Sequence, residues 1–529
     1  MRRPPVHVLV RGRGRGRPGA RPTGSAPPAA TRGPGWAAAA VALALAGCAA
    51  PDDIEPGPAP EPTEVAFPAT FSWGAATAGF QIETGLADTD WGVWAATPGN
   101  IKNGDQPDAG PDAFAHVAED VAALQEAGLD GYRFSIEMAR VYPTRAAFDA
   151  DAPDPAGLAA YDALLAALDA GGIRPMVTLH HFVWPRYMSD PALAASPQGW
   201  ERDDAPAVFG AWCRRMAARY GDRVDLWVTI NEPNVEAMIG YVAGYFPPGV
   251  SDPERLADVL RRQVSAHAAC YDAVHDDDTI DADGDGASAL VSVASHNRLY
   301  EPADPTSAAD LAAVAHSRSF WNLWLLDAIV RGDVDLDFDD VVDVTADPGL
   351  VGRADYIGLN YYGTSRIHAA ALKLPYAGVV PAQFDLPNER PKNDLGWDIY
   401  PPGFGVVLDE VARYGLPVYV TENGIADALD VNRSRFTAEH LFELGKAITR
   451  GVDVRGYYHW SIIDNFEWAS GFCPRFGLFH VDFADPARPR TPTSAVPMLA
   501  ELAASGRLTK SAIAALPPYQ SKPSPCAGF

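Results

Sequence analysis

Two glutamates stand in short polar segments that each end an apolar, β-branched run of the chain. Glu232 lies in Thr229-Ile230-Asn231-Glu232-Pro233, and Glu422 lies in Thr421-Glu422-Asn423-Gly424. Two carboxyl groups can cleave a glycosidic bond when one protonates the leaving oxygen and the other attacks or stabilises the anomeric carbon. Because the two glutamates are far apart in sequence, this chemistry requires a fold that brings the ends of distant strands together.

The hydrophobic pattern of the chain predicts such a fold. From Phe67 to about Ala503, short apolar runs alternate with longer Ala/Leu-rich segments of helical period. We predict eight strands, at residues 71–77, 132–136, 175–181, 226–231, 290–295, 356–361, 417–421 and 456–461. We predict seven helices between or after them, at residues 113–127, 156–170, 205–220, 253–275, 308–331, 403–414 and 437–450.

Eight strands that alternate with helices favour a closed (β/α)8 barrel of parallel strands, whose active site is built at the carboxyl ends of the strands. A doubly wound open sheet is the alternative. That fold usually carries a glycine-rich phosphate turn after its first strand, and Ser72-Trp73-Gly74-Ala75 is not such a turn.

Polar side chains gather at the carboxyl end of every predicted strand. They are Gln81 and Glu83, Arg133, His180 and His181, Asn231 and Glu232, His296 and Asn297, Asn360 and Tyr362, Glu422 and Asn423, and Trp460. In a barrel these ends converge on one face, so the two glutamates of strands four and seven are expected to face each other across its mouth.

Composition and charge exclude other classes of protein. Of the 529 residues, 47% are hydrophobic and 10% aromatic, which is typical of a folded globular chain rather than a disordered one. The formal net charge of −26 argues against a nucleic-acid-binding protein, which needs a basic surface. The charge is unevenly distributed, because residues 1–47 contain eight arginines and no lysine or acidic residue.

The basic N-terminal segment predicts export. Its apolar run, from Trp36 to Ala46, is too short to span a bilayer as a helix and ends in Leu45-Ala46-Gly47-Cys48. A basic region, a short apolar run and small residues indicate a signal peptide, and this ending resembles the lipobox of bacterial lipoproteins, in which the cysteine is lipid-modified. An ordinary signal peptide is the alternative.

The predicted organisation therefore has four parts. Residues 1–47 are a signal peptide, 48–65 an acidic, proline-rich tether, 66–505 the barrel and 506–529 a C-terminal tail. We expect an exported protein anchored to a membrane only by lipid on Cys48, facing the periplasm or the cell exterior. The oligomeric state does not follow from the sequence.

Two further groups of residues carry weaker signals. Cys213, Cys270, Cys473 and Cys526 lack the spacing of a zinc site; export permits a disulfide, but buried single thiols are the expected role of most of them. Asp281, Asp283 and Asp285 copy the first half of a calcium-binding loop, but Ser292 replaces its final glutamate. A solvated acidic turn is therefore the favoured interpretation.

Many separate motifs resemble those of the β-glucosidase family, glycoside hydrolase family 1, from Phe67 to about Pro492. In chain order they are Phe71-Ser72-Trp73-Gly74-Ala75, Gln81-Ile82-Glu83, Tyr132-Arg133-Phe134-Ser135, Thr178-Leu179-His180-His181-Phe182, Asn231-Glu232-Pro233, Gly358-Leu359-Asn360-Tyr361-Tyr362, Glu422-Asn423-Gly424 and Trp460-Ser461-Ile462-Ile463-Asp464-Asn465-Phe466-Glu467-Trp468.

The resemblance implies a retaining β-glycosidase that needs no cofactor and hydrolyses a terminal β-glycoside or oligosaccharide. It implies that Glu422 is the nucleophile, kept ionised by Arg133 and the Tyr362 hydroxyl, with Asn360 nearby, and that Glu232 is the general acid/base, with a raised pKa. The residues implied to bind the sugar are Gln81, His181, Asn231, Tyr362, Trp460, Glu467 and Trp468.

The motifs exclude one class of glycone but do not distinguish among the others. A carboxylate at Glu467 disfavours 6-phosphorylated sugars, which relatives bind with a small residue at this position. Phe182 stands where the family usually has a tryptophan, so one indole donor is lost and glucose, galactose and fucose are not separated. Transglycosylation, and a surface lipoprotein that binds carbohydrate without turnover, are the remaining alternatives.

Overall fold

The computed structural model describes residues 61–284, 286–369, 388–521 and Cys526, and the backbone of 382–383. The predicted signal peptide, Cys48 and most of the tether lie outside these residues. No helix of the described part of the chain has both the length and the apolar character needed to cross a membrane.

Eight parallel strands close into a barrel, so the predicted fold class is confirmed. In chain order the strands are β1 (Ser72–Ala76), β2 (Gly131–Ser135), β3 (Arg174–His180), β4 (Leu226–Asn231), β5 (Leu290–His296), β6 (Ile357–Asn360), β7 (Val418–Asn423) and β8 (Val454–Trp460). Each pairs with its neighbour in sequence, and β8 closes the barrel by pairing in parallel with β1.

Side chains from the strands fill the barrel, which is therefore a packed core rather than a pore. Met176, Val228 and Tyr356 are among the buried residues of this interior cluster. Gly74 shows how tightly it is packed: a Cβ at this position would lie 2.4 Å from the ring of Tyr458. A glycine in β1 therefore makes room for an aromatic side chain of β8.

In the described part of the chain, eight longer helices surround the barrel. They are α1 (Val117–Glu126), α2 (Pro155–Gly171), α3 (Ala205–Tyr220), α4 (Leu256–Asp277), α5 (Ala308–Arg318), α6 (Pro401–Val411), α7 (Arg433–Thr449) and α8 (Ala495–Ser505). Shorter α-helices lie at Gly79–Ile82, Asp90–Ala96, Met138–Val141, Arg145–Asp149, Pro233–Ala237, Trp324–Leu326 and Lys510–Ala515.

The helical segment predicted over 308–331 has the predicted bounds but is not one regular α-helix. The regular α-helix ends at Arg318. Helical turns then continue through the π-helical segment Ser319–Leu323, the short α-helix Trp324–Leu326 and the π-helical segment Asp327–Arg331. The sequence keeps its apolar character through these turns, so periodicity alone does not reveal the change of hydrogen bonding.

Short strands outside the barrel move the predicted domain boundaries. Glu64–Ala66 pairs antiparallel with Arg507–Thr509, so the end of the predicted tether and the start of the predicted tail both belong to the folded unit. The other short strands are Leu299–Pro302, Thr364–Ala369, Ala382–Gln383, Phe479–Val481 and Arg490–Pro492.

All four cysteines of the described chain form disulfides, so the expectation of mostly single buried thiols is wrong. Cys213 of α3 bonds to Cys270 of α4, with an S–S distance of 2.04 Å. Cys473 bonds to Cys526 and thereby ties the C-terminal segment to a loop near the carboxyl end of the barrel. Each pair is separated by more than fifty residues, so only the packed fold brings the thiols together.

Candidate active site

A cavity of about 340 Å³ opens at the carboxyl ends of the barrel strands. Eight of the predicted site residues line it: His181, Asn231, Glu232, Tyr362, Glu422, Trp460, Glu467 and Trp468. The other three, Gln81, Arg133 and Asn360, are almost fully buried and hydrogen-bonded to lining residues. The fold therefore brings together all eleven residues that the sequence selects.

Glu422 ends β7 with both carboxylate oxygens held by donors. Arg133 donates to Oε1 at 2.6 Å, and the Tyr362 hydroxyl donates to Oε2 at 2.7 Å. The glycine two residues later is required by packing, because a Cβ on Gly424 would lie 1.8 Å from the carbonyl oxygen of Trp460. The Glu-Asn-Gly sequence thus lets β7 pass close to the end of β8 while it presents its carboxylate to the cavity.

Glu232 follows β4 in a conformation that non-glycine residues rarely adopt. Its φ of +42° lies in the left-handed region, and the short helix Pro233–Ala237 begins directly after it. Its backbone amide donates to the carbonyl of Ala294 in β5 at 2.7 Å, and Asn360 donates to Oε1 at 2.9 Å. Such backbone strain is often found at functional sites, where the surrounding structure holds it.

Asn231 and Arg133 connect the two glutamates. The Asn231 carbonyl oxygen accepts from Arg133 at 2.7 Å and from Asn360 at 3.1 Å, so its amide nitrogen points to His181, 3.1 Å from Nε2. One network thus links the ends of strands β2, β3, β4, β6 and β7. The geometry of both carboxylates is fixed before any substrate binds, which is the arrangement that favours catalysis.

The surroundings of the two glutamates give them different pKa values. Burial and the charge of Glu422 raise the pKa of Glu232 well above its ordinary range. Burial also raises the pKa of Glu422, which the sequence did not anticipate, but the charge of Arg133 and the Tyr362 hydrogen bond act against it. Glu232 therefore holds a proton at a pH at which Glu422 is ionised.

We expect the Tyr362→Phe substitution to shift the acid limb of the kcat/KM–pH profile to higher pH. The hydroxyl lowers the pKa of Glu422, so its loss raises that pKa, and the ionised Glu422 carboxylate then forms only in less acidic solution. The plateau value should fall by about tenfold, as for a lost hydrogen bond to a charged group. Initial rates on an aryl β-glucoside across both limbs measure the effect.

Tyr361→Phe is the matched control, because its hydroxyl donates to the backbone carbonyl of Tyr400 at 3.1 Å and does not contact Glu422. Its acid limb should stay in place. If Tyr362→Phe loses activity at every pH and its acid limb does not shift, the Tyr362 hydroxyl does not lower the pKa of the group that sets this limb, and the interpretation is contradicted.

The predicted sugar-binding residues surround the end of the cavity next to Glu467. The side-chain nitrogen of Gln81 donates to Glu467 at 3.3 Å, and the ring of His181 stacks at 5.8 Å on Trp460 and at 5.9 Å on Trp468. Gln81 Oε1 and His181 Nδ1 are buried polar atoms with no hydrogen-bond partner among the described residues. Buried polar atoms are normally satisfied, so hydroxyl groups of a ligand or water are expected here.

Glu467 is poised as a neutral carboxyl group. Burial and the charge of Glu422 raise its pKa to about 8, although hydrogen bonds from Gln81 and Trp460 act in the opposite direction. Two contacts fix the loop that follows Glu467. The Asp105 carboxylate accepts a hydrogen bond from the backbone amide of Phe472 at 2.8 Å, and Cys473 forms the disulfide to Cys526.

Not every polar strand end contributes to the cavity. Glu83 forms an ion pair with Arg140 at 2.7 Å, and His180 lies 3.1 Å from the buried carboxylate of Glu236. The side chain of Asn423 donates to a backbone carbonyl of the neighbouring strand end. Position at a strand end therefore predicts proximity to the site but not the direction of the side chain.

The acidic turn predicted as a weak calcium candidate is only partly described, because Asp285 lies outside the described residues. Carboxylate oxygens of Asp281, Asp283 and Asp225 lie within 4.8 Å of one another. Asp281 accepts from two backbone amides of its own turn, at 2.7 and 3.0 Å, and Asp225 accepts from two more, at 3.0 and 2.6 Å. These contacts agree with the interpretation as an acidic turn.

Sequence reasoning assigned no role to nine further residues that line the cavity. They are Val235, Ile239, Phe246, His296, Arg298, Trp321, Leu395, Trp397 and Phe476. Several come from connecting segments that carry no recognisable motif. The one available signal was His296, which is at the carboxyl end of β5.

Comparisons with known proteins agree with this geometry. The family model described as glycosyl hydrolase family 1 matches residues 63–507. A β-galactosidase of Pyrococcus woesei is 32% identical over 504 residues, which cover 84% of this chain and 98% of that protein. β-Glucosidase A of Thermotoga maritima is 32% identical over 453 residues, which cover 80% of this chain and 94% of that protein.

Solved structures give the same result. The β-glycosidase from Pyrococcus horikoshii superposes with a TM-score of 0.73 at 29% identity, covering 84% of this chain and 97% of that chain. The β-glucosidase from Thermotoga maritima in complex with glucoimidazole superposes with a TM-score of 0.72 at 29% identity, covering 83% of this chain and 99% of that chain.

Proposed function

The chain belongs to glycosyl hydrolase family 1 and is a retaining β-glycosidase, and from this premise we propose the roles of its residues, its glycone and its location. Glu422 is the nucleophile and Glu232 the general acid/base. The observation that supports this assignment is the asymmetry of their contacts. Arg133 and Tyr362 donate to Glu422 at 2.6 and 2.7 Å. Among the described residues, the Glu232 carboxyl group accepts a hydrogen bond only from the neutral amide of Asn360.

In the first half of the reaction, Glu422 attacks the anomeric carbon while Glu232 gives its proton to the glycosidic oxygen. The bond between the anomeric carbon and the glycosidic oxygen breaks. The aglycone leaves as an alcohol, and a glycosyl ester forms on Glu422. Glu232 is now a carboxylate and accepts a proton from water, whose oxygen attacks the anomeric carbon and displaces Glu422. Two inversions give a product of unchanged β configuration.

The same contacts explain how each group changes role. While Glu422 is an ester it carries no charge and no longer raises the pKa of Glu232. The pKa of Glu232 is therefore lower at that stage, and its carboxylate is available as the base. Asn231 lies between the two groups with its amide nitrogen directed to His181, where it can also donate to the sugar 2-hydroxyl. That contact strengthens in the transition state of this reaction class.

We propose glucose without a 6-phosphate as the preferred glycone. The support is Glu467, whose carboxyl group contacts Gln81 and lies beside Trp460 at the end of the cavity. The neutral carboxyl group of Glu467 can donate to one sugar hydroxyl and accept from another. The ionised carboxylate accepts from hydroxyls but repels a phosphate dianion. Galactose and fucose remain the alternatives, because Phe182 supplies no hydrogen-bond donor.

A panel of 4-nitrophenyl β-glycosides tests the glycone. We expect kcat/KM for the glucoside to exceed that for the 6-phosphoglucoside by about 100-fold, as for an unpaired buried charge. The Glu467→Ser substitution should lower glucoside turnover and narrow this ratio. A wild-type preference for the phosphorylated substrate would overturn the proposal, and a preference for galactoside or fucoside would replace glucose. Product analysis with excess acceptor separates hydrolysis from transglycosylation.

We also propose that the chain is exported and anchored by lipid on Cys48. The support is the order of a basic segment, a short apolar run and Leu45-Ala46-Gly47-Cys48. In a bacterial host fed with radioactive palmitate, the full chain should carry label and sediment with membranes. The Cys48→Ser variant should lose the label and keep its specific activity. Unlabelled, freely soluble wild type contradicts the anchor.

A further inference from the structure

One part of the cavity wall, here called the leaving-group half, has no assigned ligand. It contains His296, Trp321, Trp397 and Phe476, whose rings contact one another directly or through Tyr362. The proton of Glu232 goes to the glycosidic oxygen, so the group that leaves with this oxygen must extend away from Trp460 and Glu467 into this half. Among its polar residues, His296 at the end of β5 has one ring nitrogen hydrogen-bonded to the protein, at Nδ1.

The tautomer of His296 is fixed by Trp321. The indole N–H of Trp321 donates to His296 Nδ1 at 3.0 Å, and an indole nitrogen cannot accept a hydrogen bond. His296 Nδ1 is therefore unprotonated, and a neutral ring must carry its proton on Nε2. Burial lowers the pKa of His296 to about 3, so the ring is neutral at any pH at which the two glutamates work.

His296 Nε2 lacks a hydrogen-bond partner within the described part of the chain, and its ring lines the cavity. Nε2 is also not fully enclosed by the protein, so a bound molecule can reach it. The Nε2–H group is therefore a hydrogen-bond donor of fixed direction at the surface of the leaving-group half. It can bind an oxygen atom of a leaving group that lies there.

The acid/base segment and His296 are held as one unit. The side chain of Asn234, two residues after Glu232, donates to the backbone carbonyls of His296 at 3.0 Å and of Trp321 at 3.1 Å. The Tyr362 ring stacks on His296 at 6.3 Å with an interplanar angle of 24°. A leaving group that contacts His296 is therefore positioned relative to both Glu232 and the nucleophile's partner Tyr362.

We propose that His296 is a specificity-determining residue for the leaving group, and that the enzyme prefers a second sugar there to a purely apolar group. A sugar ring offers apolar C–H faces to walls such as those formed by Trp321 and Trp397, together with hydroxyl oxygens that accept from Nε2. An alkyl or simple aryl group fills the same walls but leaves this donor unpaired, which costs binding energy.

The inference rests on the proposed β-glucosidase function, and two glucosyl substrates test it. Cellobiose carries a sugar leaving group, whereas β-glucosyl fluoride has only a fluorine atom and cannot reach His296. In the His296→Phe variant we expect kcat/KM for cellobiose to fall by about tenfold and that for glucosyl fluoride to stay within about twofold of wild type. Phenylalanine keeps an aromatic ring against Tyr362.

The Trp321→Phe variant tests the tautomer argument separately. Without the indole donor, His296 can carry its proton on either nitrogen, so cellobiose turnover should fall by a smaller factor than in His296→Phe, again with glucosyl fluoride unaffected. Thermal unfolding checks that both variants remain folded.

Equal losses on the two substrates, or none on cellobiose, would overturn the role of His296. Failure of wild type to hydrolyse either glucosyl substrate would instead overturn the proposed glycone, and the same comparison would then be made with the fluoride and the disaccharide of the glycone that the panel selects.

Discussion

Replacing Glu422 by glycine should reduce kcat for aryl β-glucosides by about 10⁴-fold or more, because no other group can form the glycosyl ester. The substitution removes the carboxylate that Arg133 and Tyr362 hold at 2.6 and 2.7 Å and leaves a small space beneath the anomeric carbon. Glu422→Gln, which keeps the volume but not the charge, should be equally inactive. Continuous assay of released phenol measures both.

Azide should restore turnover of Glu422→Gly but not of Glu422→Gln. In the glycine variant the anion fits the space left by the carboxylate and attacks from the same face, so the product is the α-glucosyl azide, with inverted configuration. NMR of the anomeric proton identifies it. A β-configured azide would contradict the assignment of Glu422, since it would require the anion to enter from the opposite face.

The sequence was sufficient to predict the barrel and to select the two buried glutamates that line its cavity. Barrel strands buried on both sides leave continuous apolar runs, and the polar residues that follow them stand out against that background. The eleven predicted site residues meet because every strand end reaches the same face. Glu422 illustrates this, since its partner Arg133 is on β2 and its partner Tyr362 follows β6.

Features that depend on packing between distant segments were not predictable in this way. The Cys213–Cys270 disulfide forms because α3 packs against α4. The composition of either helix does not indicate which helix it packs against. The strand Glu64–Ala66 joins the fold only through a partner more than 400 residues later. The increase in the pKa of Glu422 on burial could not be predicted either. The sequence indicates the hydrogen-bond partners of Glu422, but only the folded structure shows how little water reaches its carboxyl group.

The leaving-group half of the cavity was missed for a different reason. Its residues carry no shared chemistry: Trp321 lies in a π-helical segment and Trp397 in a connecting loop. The direction of the His296 donor follows from one hydrogen bond to Nδ1 that no sequence pattern encodes. The type of reaction can therefore be predicted from the residues at the strand ends. Substrate preference depends on residues in the connecting segments, which carry no recognisable pattern.

Replacing Glu232 by alanine should have an effect that depends on the leaving group. For cellobiose, whose alkoxide is a poor leaving group, we expect kcat/KM to fall by about 10³-fold, within the range contributed by general acid catalysis. For 2,4-dinitrophenyl β-glucoside, which leaves without protonation, kcat/KM should change by less than about tenfold, while kcat falls because deglycosylation lacks its base.

Two further measurements separate Glu232 from a group that merely shapes the cavity. The alkaline limb of the kcat/KM–pH profile should disappear in Glu232→Ala, because wild type loses activity there as the raised pKa of this group is passed. Azide should accelerate the variant and give the β-glucosyl azide, because it attacks the ester on Glu422 from the face that Glu232 serves. A uniform loss on both substrates, with the alkaline limb retained, would show that another group supplies the proton.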